Sequence, residues 1–217
     1  MMDDDSIMVE AAVAPTVVTV LHERIAERVR ELRAARRLSL EELAARSGVS
    51  RSMISLIERG EVSPTAVVLE KLATGLGVML ASLFDTVPAA PIAADPVARR
   101  ADQPEWRDPA SGYVRRNVSP AGIAHPMHIV EVRFPAGARV AFETGIRAAR
   151  VHQQVWVLEG AMEITLGNDR HRLREGDCLA MELDRPTMFH NPTRKAARYA
   201  VVFAEEGVRS PDRARRA

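Results

Sequence analysis

Residues 39–60, SLEELAARSGVSRSMISLIERG, decide the fold of the first half of the chain. Ser39 and Glu42 have the spacing of a capping box, in which the serine hydroxyl and the glutamate carboxylate each accept a backbone N–H of the other residue. Gly48 can adopt the left-handed backbone conformation that a tight turn requires. Ser50 follows as the cap of another helix. The stretch therefore predicts two short helices joined by a tight turn.

The second of these helices, from Arg51 to Arg59, is predicted to have one buried side and one exposed side. Ile54 and Ile57 fall at the spacing of an inward face. The residues that face away from the core are Arg51, Ser52, Ser55 and Leu56. A helix-turn-helix needs this arrangement to present one helix to the major groove of DNA.

Further helices are predicted on both sides of this stretch. Apolar residues recur at helical spacing over 21–32, and a fourth helix should begin at Ser63-Pro64, with Pro64 at the first helical position. Residues 80–84 should close the bundle as a fifth helix. We therefore predict a five-helix, helix-turn-helix DNA-binding domain over residues 20–86.

The sequence from Leu21 to Phe84 resembles the XRE, or phage-repressor-like, family of transcription regulators, most strongly over residues 40–60. The resemblance implies sequence-specific DNA binding. It places Arg51, Ser52 and Leu56 at base edges, with Ser55 beside them. Arginine can pair with guanine through two hydrogen bonds, and leucine can pack on a thymine methyl group.

The resemblance also implies roles outside the recognition helix. Ser39, with the backbone amides at its helix N-terminus, would bind a phosphate. Arg33 and Glu58 match a pair that ties the first helix to the third. Arginines that either contact phosphates or form a solvated surface are Arg36, Arg37, Arg46 and Arg59. A homodimer on a palindromic operator is expected, because two-fold symmetry doubles the base pairs contacted.

The second half of the chain has a different pattern, with short alternating apolar segments between Gly, Pro, Asn and Asp turn signals over residues 110–206. The segments predicted as strands are 127–134, 155–158, 162–166, 178–183 and 199–203. Short strands with one apolar face must bury it in a sandwich, barrel or jelly roll.

Part of this half resembles the cupin family of small jelly-roll barrels, which hold a metal or a ligand inside. The resemblance rests on VWVLEG at 155–160, LREGD at 173–177, Pro186 and Asn191-Pro192. The predicted fold class is therefore α + β in two domains, a five-helix helix-turn-helix bundle followed by an all-β cupin jelly-roll barrel.

The metal ligands of the cupin pattern are missing from this sequence. Many cupins use two histidines and a glutamate in a first motif and a third histidine in a second. Counted from Gly160, Gly176 and Asn191, the glutamate position holds Gln153, the second-motif histidine position holds Thr187, and the paired histidines would fall near Arg147 and Ala149. These side chains lack the imidazole, carboxylate or thiolate donors of Zn²⁺, Fe²⁺ and Mn²⁺ sites. We therefore predict no metal and no cofactor.

A one-residue shift in strand register would change that prediction. Successive side chains of a strand face opposite sides, so His152 points away from the barrel interior if Gln153 points into it. The opposite register leaves open a metal held by His152, His190 or the pair His125 and His128.

Without a metal, the barrel should hold a small-molecule effector in an apolar pocket with a few polar groups. The residues predicted to supply polar contacts are Arg150, Gln153, Thr187 and His190. The leading function is a DNA-binding, effector-responsive transcription regulator without enzymatic activity. The alternatives are a metal-dependent cupin enzyme, such as a dioxygenase or isomerase, with a DNA-binding domain, and a DNA-binding protein whose barrel only dimerises.

Composition sets wider limits on the chain. Its 217 residues are 47% hydrophobic and 27% charged with a formal net charge of +1, which indicates a soluble globular protein whose DNA binding depends on local charge. The acidic start MMDDD, the lone Cys178 and the lack of a long apolar run predict a cytoplasmic protein that does not enter membranes. We predict a flexible arm (1–19), a Pro-rich linker (87–109) and a basic tail (207–217).

Overall fold

The computed structural model describes residues 17–84, 95–123, 127–143 and 151–205. Within these ranges, α-helices precede all of the β-strands: α1 (Val17–Ala35), α2 (Leu40–Ser47), α3 (Arg51–Glu58) and α4 (Ala66–Leu76). The first helix begins inside the predicted arm. None of the helices in the described ranges has both the length and the apolar character of a membrane span.

The helical core has the residues that the periodicity predicts. Ile25 and Val29 of α1, Leu43 of α2, Ile54 of α3 and Leu69 of α4 are fully buried. Burying side chains of this size stabilises a fold by about 1.5–3 kcal/mol each. The three-dimensional packing thus confirms the predicted inward faces of these four helices.

The fifth predicted helix is wrong, because residues Leu80–Leu83 form a single 3-10 turn. The backbone N–H groups of Ser82 and Phe84 donate to carbonyl groups three residues earlier. This tighter geometry is common in segments of three or four residues. It buries both Leu83 and Phe84 within one turn.

The start of the fourth helix also differs from the prediction, since α4 begins at Ala66 and not at Pro64. Thr65 is the N-cap, and its hydroxyl accepts the backbone N–H of Val68 at 3.3 Å. Ser63 is instead hydrogen-bonded to His22 of α1. Thr65, which caps the helix directly before Ala66, therefore sets the start of α4.

The strands of the second domain occupy the following ranges: β1 (Glu105–Arg107), β2 (Val114–Asn117), β3 (Met127–Phe134), β4 (Arg139–Phe142), β5 (Val151–Glu159), β6 (Ala161–Leu166), β7 (Asp169–Arg174), β8 (Cys178–Glu182), β9 (Thr187–His190) and β10 (Ala197–Glu205). The five predicted strands overlap β3, β5, β6, β8 and β10, although β5 and β10 extend beyond the predicted ranges at both ends. Gly167, at φ 57°, and Asn168 form the two-residue turn that joins β6 to β7.

These strands form two antiparallel sheets, ordered β1-β2-β3-β10-β5-β8 and β4-β9-β6-β7. From β3 to β10, every connection passes from one sheet to the other except the β6–β7 hairpin. This order of eight strands is that of a jelly roll, with β1 and β2 added at one edge. The two sheets bury their facing sides, and Val155 and Val157 of β5 lie in the core while Trp156 faces outwards.

The two domains pack directly against each other. Asp108 of the β domain is 2% exposed, and its Oδ1 accepts the backbone N–H of Ala66, the first residue of α4, at 2.9 Å. The rings of Phe84 and Trp106 meet edge to face at 5.6 Å between centroids. The guanidinium carbon of Arg115 lies 5.2 Å from the centre of the Phe84 ring. Apolar, cation–π and helix-capping contacts therefore all join α4 and the 3-10 turn to the β domain.

The predicted linker, 87–109, is folded at its C-terminal end. Residues 95–109 are described and include a 3-10 turn, Arg100–Asp102, and strand β1. Trp106 of β1 is 3% exposed and packs on Phe84 and Tyr113. A large aromatic side chain in a Pro- and Ala-rich stretch explains why this end joins the core.

Candidate DNA-binding surface and ligand cavity

Capping interactions fix the start of α2, its end at the turn and the start of α3. The Ser39 hydroxyl accepts the backbone N–H of Glu42 at 3.1 Å, and Glu42 Oε2 accepts the backbone N–H of Ser39 at 2.7 Å. Gly48 ends α2 with φ 67°, and the Ser50 hydroxyl accepts a backbone N–H of α3 at 3.2 Å. The predicted capping box and left-handed glycine are confirmed, so α3 is presented in a defined orientation.

An ion pair ties α3 to α1. Arg33 donates from Nε and Nη2 to the two carboxylate oxygens of Glu58, both at 2.7 Å, and from Nη1 to the Leu38 carbonyl at 2.9 Å. The hydrogen bonds to Glu58 raise the pKa of Arg33, against the opposing effect of burial. The pairing implied by the family resemblance is confirmed, and it fixes the inner side of α3.

The outer side of α3 is accessible to a partner. Arg51 and Ser52 are exposed, and Ser55 and Leu56 are partly exposed. Sequence reasoning missed Met53, which is 38% exposed. Met53 lies three residues before Leu56 and shares its helix face. This spacing indicates that Met53 adds a second apolar side chain to the contact surface.

Acidic residues pair with the arginines of this surface. Arg51 Nε lies 2.5 Å from Glu41 Oε1 of α2, and both side chains are about two-thirds exposed, at 66% and 65%. Arg59 is hydrogen-bonded to Glu61 and to Ser55. A base or phosphate that pairs with either arginine competes with these carboxylates for the positive charge.

The Glu41→Gln variant should bind every DNA duplex more tightly than the wild-type protein does. The change frees Arg51 and removes a negative charge near the phosphates, and an exposed pair of this kind contributes up to about 1 kcal/mol, or roughly fivefold in affinity. Fluorescence anisotropy at fixed low salt measures the effect. Glu175→Gln makes the same charge change on an exposed turn of the β domain and should leave affinity unchanged. Equal effects of the two variants would contradict the role of Glu41.

The predicted phosphate site at Ser39 has acidic neighbours in the structure. The Ser39 hydroxyl accepts a hydrogen bond in the capping box and keeps its O–H to donate to a phosphate, but the first turn of α2 carries Glu41 and Glu42. The backbone hydrogen bond from Ser39 lowers the pKa of Glu42, so that carboxylate stays charged. The α2 N-terminus is therefore partly neutralised before any phosphate arrives.

The interior of the jelly roll contains a cavity of about 100 Å³. Gln153 and Thr187, both predicted as polar contacts, lie in its wall, and Thr187 is 3% exposed. Its other walls are largely aromatic and aliphatic, as in small-molecule sites generally, although the volume lies below the roughly 300–1,000 Å³ of drug-sized pockets. The cavity suits a small ligand.

The other predicted contact residues lie elsewhere. His190 is not in the cavity wall, and its Nδ1 lies 3.6 Å from Glu163 Oε1 on the outer side of the smaller sheet. Side chains alternate along β9, and Thr187 and Phe189 point into the cavity, so His190 points outwards. Burial raises the pKa of Glu163, but Arg170, the nearby His190 and Arg172 together lower it below its ordinary value. Arg150 lies outside the described residues.

The histidines of the alternative metal site are not brought together. His152 also faces outwards, 3.8 Å from Glu182, and His128 stacks on the Phe203 ring. His125, Arg147 and Ala149 lie outside the described residues. Within the described ranges, no group of three or more His, Cys, Asp and Glu side chains has the geometry to hold a metal.

Sequence reasoning missed the charged residues of the cavity wall. Glu70 of α4 and Arg115 of β2 both line the cavity and are both buried. Glu70 sits among apolar residues of α4, and Arg115 precedes another arginine, so each pattern resembled an ordinary surface position. Only the packing of the two domains brings the two side chains to one cavity.

The helical domain matches a known family. The model of the helix-turn-helix family HTH_3 matches residues 29–83. The HTH-type transcriptional regulator SutR of Escherichia coli (strain K12) is 50% identical over 50 residues, which are 23% of this chain and 28% of SutR. This chain therefore matches less than a third of that relative's length.

Solved structures extend the likeness over both domains. An HTH_3 family transcriptional regulator from Vibrio cholerae has a TM-score of 0.68 and 25% identity, covering 87% of this chain and 98% of that chain. A hydroxypropylphosphonic acid epoxidase from S. wedmorenis has a TM-score of 0.41 and 18% identity, covering 85% and 99%, which is too remote to support an inference. The capped turn and the family match show that residues 29–83 form a helix-turn-helix domain of the HTH_3 family, and the strand order shows that a jelly roll follows it.

Proposed function

We propose that the chain is a sequence-specific DNA-binding transcription regulator whose jelly roll binds a small-molecule effector. The observation that carries this proposal is α3, whose inner side is fixed by Ile54, Ile57 and the Arg33–Glu58 pair while Arg51 and Ser52 stay exposed. A rigid helix with outward donors can enter the major groove and contact base edges. Such a regulator acts where the chromosome is, so we propose a cytoplasmic location.

Two arginine variants test the proposal. Arg51→Ala should lose about 1–3 kcal/mol of discrimination between specific and scrambled DNA, because a base contact is removed. Arg46→Ala, in the last turn of α2, should weaken both duplexes alike, because a phosphate contact carries no sequence information. The specific duplex is one enriched by the protein from a random-sequence library. Equal losses on both duplexes for Arg51→Ala would remove it from base recognition.

We further infer that the functional unit is a homodimer. The outer face of the larger sheet exposes Met127 by 57%, Ile129 by 42% and Trp156 by 51%. Strand register places Val202 between Ile129 and Gln154, and Ala200 between Glu131 and Trp156. The apolar side chains therefore form a diagonal band across three strands, the outer apolar patch, with one polar residue on each side. Contiguous exposed apolar surface of this kind indicates an interaction site.

A second copy of the chain is the occupant that fits the outer apolar patch. One recognition helix contacts only a few base pairs, and a two-fold dimer doubles that number on a palindromic operator. A two-fold interface uses the same surface on both subunits. The outer apolar patch, on one face of the larger sheet, can be that surface in each copy. The half-sites should lie about one helical turn, roughly 34 Å, apart.

The effector-binding role is supported by the cavity and separates this proposal from a cupin enzyme. Gln153 and Thr187 offer amide and hydroxyl oxygens, which are poor ligands for the transition metals of cupin enzymes. We therefore expect purified protein to carry no stoichiometric Fe, Zn or Mn. Elemental analysis measures this, with His152→Ala and His190→Ala as companion variants. About one metal per chain, lost in either variant, would favour the enzyme.

A further inference from the structure

Most of the chain's aromatic rings surround the jelly-roll cavity. The chain has two tyrosines and five phenylalanines, and both tyrosines and four of the phenylalanines line this space. They are Tyr113, Phe134, Phe142, Phe189, Tyr199 and Phe203. Stacking joins Tyr113 to Phe134 and Phe189 to Tyr199, with 5.6 Å and 6.0 Å between ring centroids. The wall is therefore a packed apolar surface, which favours the apolar body of a ligand over water.

The two tyrosine hydroxyls give this apolar wall hydrogen-bonding capacity. Tyr113 and Tyr199 are each 4% exposed, and within the described residues neither phenol oxygen has a hydrogen-bond partner. Burial raises the pKa of both tyrosines, so their hydroxyls stay neutral at physiological pH. A buried tyrosine hydroxyl usually finds a hydrogen-bond partner. A ligand in the cavity can supply that partner.

The remaining polar groups that the wall offers to a ligand are also uncharged. Gln153 and Thr187 contribute an amide and a hydroxyl, and the Thr187 hydroxyl donates to the Arg185 carbonyl at 3.1 Å, so its oxygen keeps acceptor capacity. Glu70 and Arg115 also reach the wall, but each already interacts with another group of the protein. A ligand with a net charge would therefore lose its hydration in this apolar space without gaining an ionic partner.

The helical domain supplies part of the wall through its 3-10 turn. Residues 79–81, at the start of this turn, line the cavity. The next residue, Ser82, accepts a hydrogen bond at its carbonyl from Nε of Arg28 in α1, at 3.1 Å. Helix α1 in turn contacts α3 through the Arg33–Glu58 pair. A ligand that packs against the 3-10 turn thus touches the first of a continuous series of contacts that ends at the DNA-binding helix.

The size of the cavity limits the ligand to a small molecule. An apolar cavity of about 150 Å³ accepts benzene, so a volume of about 100 Å³ suits about four to six non-hydrogen atoms. We propose that the cavity binds an uncharged effector of this size, with an apolar body and one hydrogen-bonding group, in contact with both domains. This inference rests on the proposed function, since it names the chemical class of the effector for the same cavity.

Small molecules of matched size test the charge preference on the full chain. The uncharged probes are 1-butanol, 2-butanone and propionamide, and the charged probes are butylammonium and propionate. Met79 lines the cavity and is 7% exposed, so its methyl signal in the NMR spectrum of protein with isotope-labelled methionine reports occupancy. At least one uncharged probe should shift this signal at a concentration where neither charged probe does. The proposal is overturned if no uncharged probe acts, or if a charged probe acts equally.

Conservative variants test the hydroxyls and the location of the site. Tyr113→Phe and Tyr199→Phe each remove one hydroxyl and keep the ring, and at least one of them should weaken binding of the active probe about 2–10-fold, the effect of one hydrogen bond. Ala81→Leu fills the cavity from the helical domain and should abolish binding. Glu175→Gln, on an exposed turn, should leave it unchanged. Unchanged affinity in both tyrosine variants would overturn the hydrogen-bonding role, and unchanged affinity in Ala81→Leu would overturn the location.

A DNA measurement separates this inference from the regulator proposal. At saturation, the active probe should change affinity for the library-enriched duplex by about 5–150-fold, and the duplex should change affinity for the probe by the same factor. Binding of the probe without any effect on DNA affinity would confirm the site and refute its effector role. Failure to enrich any duplex would refute the regulator and leave the probe result standing.

Discussion

Glu58→Ala is expected to lower the free energy of unfolding by about 3 kcal/mol, the lower end of the range for breaking a buried ion pair. The Glu58 side chain is 7% exposed and that of Arg33 is 19% exposed. Removing the Glu58 carboxylate leaves the Arg33 guanidinium without the two oxygens to which it donates hydrogen bonds. The value lies at the lower end because Arg33 retains some access to water and still donates to the Leu38 carbonyl.

Urea unfolding followed by circular dichroism measures this loss, and an exposed pair on the same domain supplies the control. Arg59 and Glu61 are about half exposed, at 52% and 51%. Glu61→Ala should therefore change stability much less than Glu58→Ala does, because an exposed ion pair contributes little. The double variant Arg33→Met, Glu58→Met should recover much of the loss, because apolar side chains need no partner. Similar losses for Glu58→Ala and Glu61→Ala would contradict a structural role for the buried pair.

Trp156→Glu should turn the proposed dimer into a monomer and lower operator affinity by about 10²–10⁴-fold. The substitution places a charge in the outer apolar patch, where a second copy would bury it. Loss of the dimer removes the linked second half-site, and linkage of two sites raises affinity by this range without new contacts. Trp156 is 51% exposed in the single chain, so the fold itself should be little affected.

Sedimentation velocity and operator titration measure the two effects of this substitution together. Arg174→Glu places a glutamate on the exposed side of the smaller sheet and should leave both the dimer and the DNA affinity intact. A Trp156→Glu protein that stays dimeric would exclude the outer apolar patch as the interface. A monomer that keeps full operator affinity would refute the need for a dimer.

The sequence by itself determined the helix-turn-helix, because its signals are local. The capping box of Ser39 and Glu42, the left-handed Gly48 and the Ser50 cap each act within three residues along the chain. The alternating apolar pattern likewise located five strands of the β domain. Where such a local rule was extended to a short segment, as for the fifth helix, it was wrong, since Leu80–Leu83 has room for only one turn.

The tertiary structure alone decided which side chains meet at the cavity. His190 and Gln153 were both predicted to contact the effector. The alternation of side chains along each strand, together with the register of its pairing, places His190 on the outer side and Gln153 on the inner side. Glu70, Asp108 and Arg115 carry no local signal, because their surroundings depend on how α4 docks on the mouth of the jelly roll. That docking joins residues about forty positions apart, so the physical reason for their burial lies in the packing of two surfaces and not in any short stretch of sequence.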